Sequence, residues 1–507
     1  MSIRTALAVT LLLAGPSVLG RPEGSAPADY PLKAVPFTQV RITDAFWAPK
    51  IETNRRVSIP YVLSESEMRG AILEVEPTFK TVEGAAYTLM THPDPALEAR
   101  LDAVLDRIIA HLVPANREKV WTEATWDREL YPAGHFIEAA IAHHLATGKR
   151  KALDAALAIA DRLAAVYGPG RRRMVPNHEE IEIALIRLFR LTGRRKYLDL
   201  AKFFLDERGR PGRPSQGENA QDHRPVTEQT EAVGHAVMAM YLYMAMTDVA
   251  ALTGDPAYRR AVERLWTDVA SGKTYVTGGL GAVRFHERFG APYELPNVSG
   301  WAETCAAYGN VLWNHRLFLL TGEGRYADMM ERALYNGFLV GVSLSGDRFF
   351  YQNVLKAFGR YERFDWINVP CCPPNIIRLL ATLGSYVYAR SGGDVYINLF
   401  VGSEAQIDIA GGTVGLVQET LYPWSGNVRL TVRPDEAREF GLLVRVPGWA
   451  RGEAMPGGLY RFVDEDGGTV RISVNGGAVA PAPRNGYAVI RRTWLPGDVV
   501  EIDLPMP

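Results

Sequence analysis

Cysteine is scarce in this chain, with three in 507 residues, at positions 305, 371 and 372. An exported domain stapled by disulfides usually carries more of them, and an even number. The odd, clustered set therefore needs another explanation. No CxxC pair is present, so the commonest spacing of a zinc ribbon is missing too. Net charge is nearly absent: 56 Lys and Arg stand against 57 Asp and Glu, a formal charge of -1. Nothing in that balance argues for nucleic acid or an anionic membrane surface as partner. What remains is ordinary for a soluble globular protein, 47% hydrophobic and 22% charged. The length calls for two or more domains.

The first twenty residues have their own texture. Arg4 supplies a positive start, Ala6 to Ala14 form a short apolar run, and small residues follow to Gly20. The run is too short to span a membrane and reads as a secretory signal peptide over 1–20. A buried N-terminal helix is the competing reading, and Gly15, Pro16 and Gly20 would break it. No cysteine lies near the cleavage region, which argues against a lipoprotein anchor. The expected location is the periplasm or the medium, without membrane insertion.

A long helical region follows a strand and turn over 37–56, and one phrase recurs in it. An apolar helix ends in Thr-Gly, and a new amphipathic helix begins a few residues later. The copies carry Thr147-Gly148, Thr192-Gly193, Thr253-Gly254 and Thr321-Gly322, with a weaker copy around Thr91. Five residues after each Thr stand Ala152, Tyr197, Tyr258 and Tyr326. Each phrase predicts the tip of a helical hairpin with glycine as its C-cap. Successive threonines are 45, 61 and 68 residues apart, too irregular for a short-period solenoid. A closed toroid of helix pairs, an (α/α) barrel, fits better than an open array. Near Gly392 the texture changes to short, β-branched, often alternating runs separated by Gly, Pro, Asn and Asp, the pattern of a β-sandwich. The expected architecture is α + β multidomain, a helical barrel over 30–391 and a β-sandwich over 392–507.

Chemistry-bearing residues gather at predicted helix starts. Glu303 and Cys305 open one apolar helix, and Cys371-Cys372 precede another that Pro373 and Pro374 begin. Three thiolates and a carboxylate can fill a tetrahedral site, and thiolates suit zinc. A vicinal Cys371–Cys372 disulfide, ordinary buried thiols and a purely structural zinc are the alternatives. His135, His178 and His235 each stand at or near a helix start, beside polar residues or glycine. In a helical toroid those starts face one end, where a pocket forms. Glu287 lies in a glycine-rich loop suited to a catalytic acid, and Glu331 and Tyr351 are further candidates.

The pieces YPAGH, HEEIEIAL, AVGHAV, TGGLG, LPN-x3-W-AETC and CCPPN, in that order, resemble glycoside hydrolase family 127, the β-L-arabinofuranosidase family. The likeness runs from FWAPKIETNR near Trp47 to GDVVEIDLP near the C-terminus. The resemblance implies an (α/α)6 barrel catalytic domain followed by a β-sandwich, and a retaining exo-glycosidase using Zn2+. It implies the metal ligands Glu303, Cys305, Cys371 and Cys372, with Cys371 as nucleophile. The implied acid/base is Glu287, sixteen residues before the metal-binding glutamate. His135, His178, His235, Glu331 and Tyr351 correspond to sugar-contacting positions. The implied substrate is a plant-type or microbial oligosaccharide. Hydrolysis of an unusual branched acidic pectin sugar is an alternative within the same family. Family members commonly continue into more β structure than this chain, so a smaller sandwich is expected, and Trp301 stands ahead of Glu303 where the aromatic type varies. A sugar isomerase or epimerase, or a sugar-binding protein with structural zinc, are the readings from other classes. A homodimer is compatible with all of them.

Overall fold

The computed structural model describes residues 29–68, 76–112, 130–212, 215–366, 370–463 and 468–506. The expected signal peptide lies outside them. Helices α1 (Trp47–Thr53) and α2 (Ile59–Met68) lead into α3 (Glu76–Thr91), α4 (Pro95–Leu112), α5 (Leu130–Thr147), α6 (Lys151–Val166), α7 (Ile181–Thr192) and α8 (Arg195–Glu207). They continue with α9 (Ala236–Thr253), α10 (Pro256–Asp268), α11 (Thr304–Thr321), α12 (Gly324–Arg332) and α13 (Cys372–Ala381). Helices α3, α5, α7, α9, α11 and α13 touch in a closed ring, with α13 packing back on α3. The helices between them in sequence lie outside the ring. This is the expected toroid, with six helices inside.

The sequence shows why the helices sort this way. Helix α9 is apolar on every side and buries all its residues up to Leu252, so it fits only inside. It is also long and apolar enough to cross a membrane, by length and composition alone. Its outer partner α10 is amphipathic, burying Tyr258, Ala261, Val262, Leu265 and Trp266 and turning its charges outward. The turn between them explains the recurring phrase. Thr253 Oγ1 donates to Val249 O (2.7 Å) and accepts from Asp255 N (3.2 Å). Gly254 has φ 69°, a left-handed value that a side chain resists. The same pair of threonine bonds recurs at Thr147, Thr192 and Thr321. The tyrosine that follows packs back on the outer helix of the preceding hairpin: Tyr197 reaches Asp161 (2.6 Å) and Tyr258 reaches Asp206 (2.9 Å).

The β region forms two sheets. Strands are β1 (Lys33–Ala34), β2 (Val40–Ile42), β3 (Tyr388–Ser391), β4 (Asp394–Ile397), β5 (Ser403–Ile409), β6 (Gly412–Thr420) and β7 (Asn427–Pro434). They continue with β8 (Arg438–Arg445), β9 (Arg471–Val474), β10 (Gly477–Val479), β11 (Ala482–Arg484), β12 (Tyr487–Trp494) and β13 (Asp498–Asp503). One sheet runs β1-β3-β4-β8-β12-β11 and the other β10-β9-β13-β7-β6-β5-β2. Strict alternation of buried and exposed residues in β5 turns one side of its sheet to the core.

The linear division at 391 needs amending in two places. Strand β3, ending at Ser391, already belongs to the sandwich. The N-terminal segment adds β1 to one sheet and β2 to the other, pairing with β3 and β5. Strands of two and three residues carry too little periodicity to be read as members of a distant sheet. A buried ion cluster fastens the two parts. Arg445 of β8, fully buried, meets Asp328 and Glu331 of α12.

Candidate active site

The hairpin tips follow the C-terminal ends of inner helices, so their N-terminal ends meet on the opposite rim. There the chain places Glu76 and Lys80 on α3, Tyr131 and His135 on α5, His178 just before α7, and His235 as the N-cap of α9. Glu303 is the N-cap of α11, with Cys305 following, and Cys371 is the N-cap of α13, with Cys372 its first residue. Unpaired amides at helix N-termini favour negative charge and stabilise thiolates.

Glu303 and the three cysteines converge. Sγ of Cys305 lies 3.1 Å from that of Cys372 and 3.5 Å from that of Cys371, and Cys371 and Cys372 are 3.8 Å apart. Glu303 Oε1 lies 3.7 and 3.8 Å from the two paired cysteines. All three cysteines are free, which removes the vicinal disulfide. A tetrahedral ion with Zn–S bonds near 2.3 Å needs sulfurs about 3.8 Å apart, close to what the side chains already provide. The electrostatics point the same way. Burial, then the charges of Cys371 and Glu287, push Glu303 well above the usual carboxylate range. The thiols of Cys305 and Cys372 bond toward Cys371 and draw its pKa well down, with the Lys80 charge assisting. Four acidic groups packed this closely call for a cation, and the donor set fits one.

Beside this group stands Glu287. His235 Nε2 lies 3.0 Å from Glu287 Oε2. His235 Nδ1 accepts from Val237 N (3.2 Å) and Met238 N (3.5 Å), so the ring proton belongs on Nε2 and points at Glu287. Tyr351 Oη lies 3.1 Å from both Glu287 oxygens. The Tyr351 ring packs edge-on to Trp301 (5.5 Å), whose indole donates to Glu303 Oε2 (3.3 Å).

Backbone strain marks the same segments. His286 and Glu287 have φ of 58° and 52°, and Ala302, just before Glu303, has 39°. Each is a left-handed residue with a side chain, a conformation costing on the order of 1–3 kcal/mol that persists only where neighbours impose it. Here the neighbours are visible: Phe289 N donates to Gly234 O (2.9 Å), and Arg288 N to Val283 O (3.0 Å). This tight turn is thereby pinned over the start of α9.

The histidines form a ladder. His178 packs on Tyr131 (4.1 Å between centroids) and faces His235 (6.0 Å), and His135 lies edge-on to Tyr131 (4.7 Å). Burial depresses both His135 and His178, so each is neutral at ordinary pH. Of the residues singled out from sequence, Glu287, Glu303, Cys305, Cys371, Cys372, His235 and Tyr351 thus meet directly, with His178 and His135 adjoining.

Glu331 does not join them. Its carboxylate pairs with Arg445 and accepts from Tyr422 Oη (2.9 Å) and Trp449 Nε1 (3.3 Å), all from the β region. Its expected sugar contact is corrected to a link between domains. The sequence shows only a glutamate on an amphipathic helix, and its partner lies 114 residues away. Lys80 was missed altogether. It is 1% exposed, and its ammonium meets Glu76 Oε1 (3.2 Å) and Tyr131 Oη (3.0 Å). Burial works against its charge, but Tyr131, Glu76 and Cys305 outweigh it and raise its pKa. A lysine among the small and apolar residues of α3 was the available signal. A cleft of about 810 Å³ over the domain seam carries none of these groups, so convergence of polar groups, not cleft size, marks the site.

A ring of helices with carboxylates, thiols and histidines gathered at its inner N-termini, joined to a β-sandwich, defines a two-domain enzyme scaffold. Within it, this chain belongs to the GH127 β-L-arabinofuranosidase family, whose catalytic-domain profile matches residues 65–385 and whose middle-domain profile matches 394–506. A non-reducing end β-L-arabinofuranosidase of Bifidobacterium longum subsp. longum is 33% identical over 442 residues, 76% of this chain. The match spans 66% of that relative's length. A solved GH127 β-arabinofuranosidase superposes with a TM-score of 0.90 at 41% identity, covering 94% of this chain and 81% of its own. A GH127 β-L-arabinofuranosidase from Geobacillus stearothermophilus T6 gives 0.82 at 36% identity, covering 92% and 82%.

Proposed function

We propose that this protein is a retaining exo-glycosidase that removes β-L-arabinofuranosyl units from the non-reducing ends of plant-type or microbial oligosaccharides. The observation that carries the reading is the Glu287 carboxylate, held by His235 and Tyr351 directly beside the Glu303–cysteine cluster. Retention needs a nucleophile and an acid/base acting in turn on one anomeric carbon. Cys371 is the nucleophile: it caps α13, is partly exposed where Cys305 and Cys372 are buried, and is the thiol drawn toward the thiolate form.

The cation assigned to Glu303, Cys305, Cys371 and Cys372 is Zn2+, which when bound supplies charge that keeps the thiols deprotonated. In the first step Cys371 Sγ bonds to the anomeric carbon as the glycosidic C–O bond breaks. Glu287 gives its proton to the leaving oxygen. In the second, Glu287 takes a proton from water, whose oxygen bonds to the anomeric carbon as the C–S bond breaks. The thiolate and the protonated Glu287 are restored, and two inversions leave the configuration retained. His235 holds Glu287 in place, and the Tyr351 hydroxyl can turn between donor and acceptor as Glu287 changes protonation. His178, partly exposed, borders the remainder of the sugar pocket and orients hydroxyls, with His135 fully buried directly beneath it. Residues 1–20 direct export, which mass measurement of the mature N-terminus checks.

The deciding experiment is hydrolysis of nitrophenyl β-L-arabinofuranoside followed by NMR of the first-formed anomer. The β anomer, with activity lost in Cys371→Ser and Glu287→Gln, supports the assignment. Release of the α anomer, or turnover surviving Glu287→Gln, overturns it.

A further inference from the structure

Beneath the sugar pocket lies a group of charges that the mechanism does not use. Glu83 and Glu138 are each bridged to both Arg187 and Arg378: Glu83 at 2.9 and 2.8 Å, Glu138 at 2.6 and 3.2 Å. Two carboxylates and two guanidiniums make a neutral quartet, with Tyr87 donating to Glu83 (2.7 Å) and Arg378 also meeting Tyr241 (3.1 Å). Glu180 is a third carboxylate in the same buried place, 1% exposed. No ion pair joins it to either arginine, and no hydrogen donor reaches either of its oxygens. Its neighbours are Glu138 and His135, with donor atoms of all three within 4.8 Å of one another. His135 Nδ1 lies 3.0 Å from Glu180 Oε1, off the line of an ideal bond, and neither His135 nitrogen has another partner.

An uncompensated buried carboxylate is costly, and the usual remedy is to take up a proton. We propose that Glu138 and Glu180 share one proton, and that the neutral Glu180 is a positioning residue fixing His135 as the Nδ1–H tautomer. His135 Nε2, fully buried in this structure, is then left as a lone pair that accepts from a hydroxyl of the bound sugar. The proton sits on Glu180, whose hydroxyl donates to ionised Glu138, since only Glu138 has the arginines to hold a negative charge. The other Glu180 oxygen accepts from His135 Nδ1–H. Burial first, and then the cationic groups acting on His135, namely Lys80, Arg378 and any charge on His178, keep its ring neutral. Burial and the Glu138 charge hold Glu180 in its protonated form. A divalent cation on His135, Glu138 and Glu180 would answer the same geometry, but the Arg187 and Arg378 guanidiniums already balance Glu138 and repel a further cation.

The inference rests on the sugar-pocket reading for what His135 binds, but not for where its proton lies. The first test therefore uses the substrate-free enzyme: 15N spectra of histidine-labelled protein, with His135 assigned by its loss in His135→Gln. A protonated Nδ1 and bare Nε2 at neutral pH are expected. A doubly protonated ring, the Nε2–H tautomer, or a second metal ion per chain overturns the proposal. The second test is kinetic. Glu180→Leu should raise KM about tenfold, the worth of one hydrogen bond to the substrate, with a smaller effect on kcat. Glu180→Gln, whose amide reproduces the donor and the acceptor of a neutral carboxyl, should rescue most of that loss. Equal losses in the two variants would mean an ionised Glu180 and would sink the proposal. If no arabinofuranoside is hydrolysed but the tautomer is as stated, the functional reading falls and the shared proton stands.

Discussion

His235 uses both ring nitrogens at once: Nδ1 caps helix α9 and Nε2, 3.0 Å from Glu287, holds the proposed acid/base. The two tasks separate by substitution. His235→Ala should cost about 1 kcal/mol of stability, the usual worth of an N-cap, and lower kcat/KM by about a hundredfold. His235→Asn should recover the cap but not the longer reach to Glu287. Denaturant unfolding and kinetics on both variants check this; an active Asn variant would show that Glu287 does not need His235.

The cysteines should divide by role. Cys371→Ser is expected to abolish turnover and weaken metal binding together. Cys305→Ser should act mainly through metal loss and instability, because ligand removal from such a site is felt in folding. A cysteine-reactive furanoside mimic should label the NVPCCPPN peptide at Cys371, as read by fragment ions. Label on Cys372 would reverse the assignment within the pair, and label on a carboxylate would leave the metal a structural clip.

Glu331 should behave as a structural residue. Glu331→Ala leaves Arg445 buried with Asp328 as its remaining carboxylate, and losing one partner of a buried pair typically costs about 3–5 kcal/mol. Thermal unfolding should shift strongly, while KM of the protein that stays folded changes little. A large KM change with unaltered stability would return Glu331 to the sugar pocket.

Acid should destabilise the barrel through its buried histidines. Burial depresses His315 from 6.5 to about 3, with the Arg316 charge contributing. Between those values the unfolded chain binds the proton and the folded one does not, so stability falls as pH drops from 6.5 toward 3. His315→Met removes that titration. Urea unfolding across this range should show a slope shallower by up to about 1.4 kcal/mol per pH unit in the variant. Parallel slopes would mean that His315 titrates alike in both states.

Much of this was legible in one sequence because it is local. The Thr-Gly phrase carries its own turn, and the inner helices show themselves by being apolar all round, as α9 does. Cys305, Cys371 and Cys372 were conspicuous because so few cysteines surround them. What escaped depends on distance along the chain. Strand β2 is three residues long and is defined by a partner at 403–405. Glu180 looks like an ordinary surface charge until the ring closes over it. Glu331 was placed by likeness to a pattern, and only the fold shows Arg445 waiting for it.

The inner ring closes when α13 packs on α3, and α13 is also the element that brings Cys371 and Cys372 to Glu303 and Cys305. The two halves of that cluster are separated by 66 residues, Cys305 to Cys371. A growing chain that has passed Cys305 but not Cys371 therefore holds one thiol and one carboxylate, too few to retain an ion, and has an open gap where the nucleophile belongs. Metal capture and a working pocket arrive in the same folding event, late in synthesis, so a fragment ending before α13 is inert.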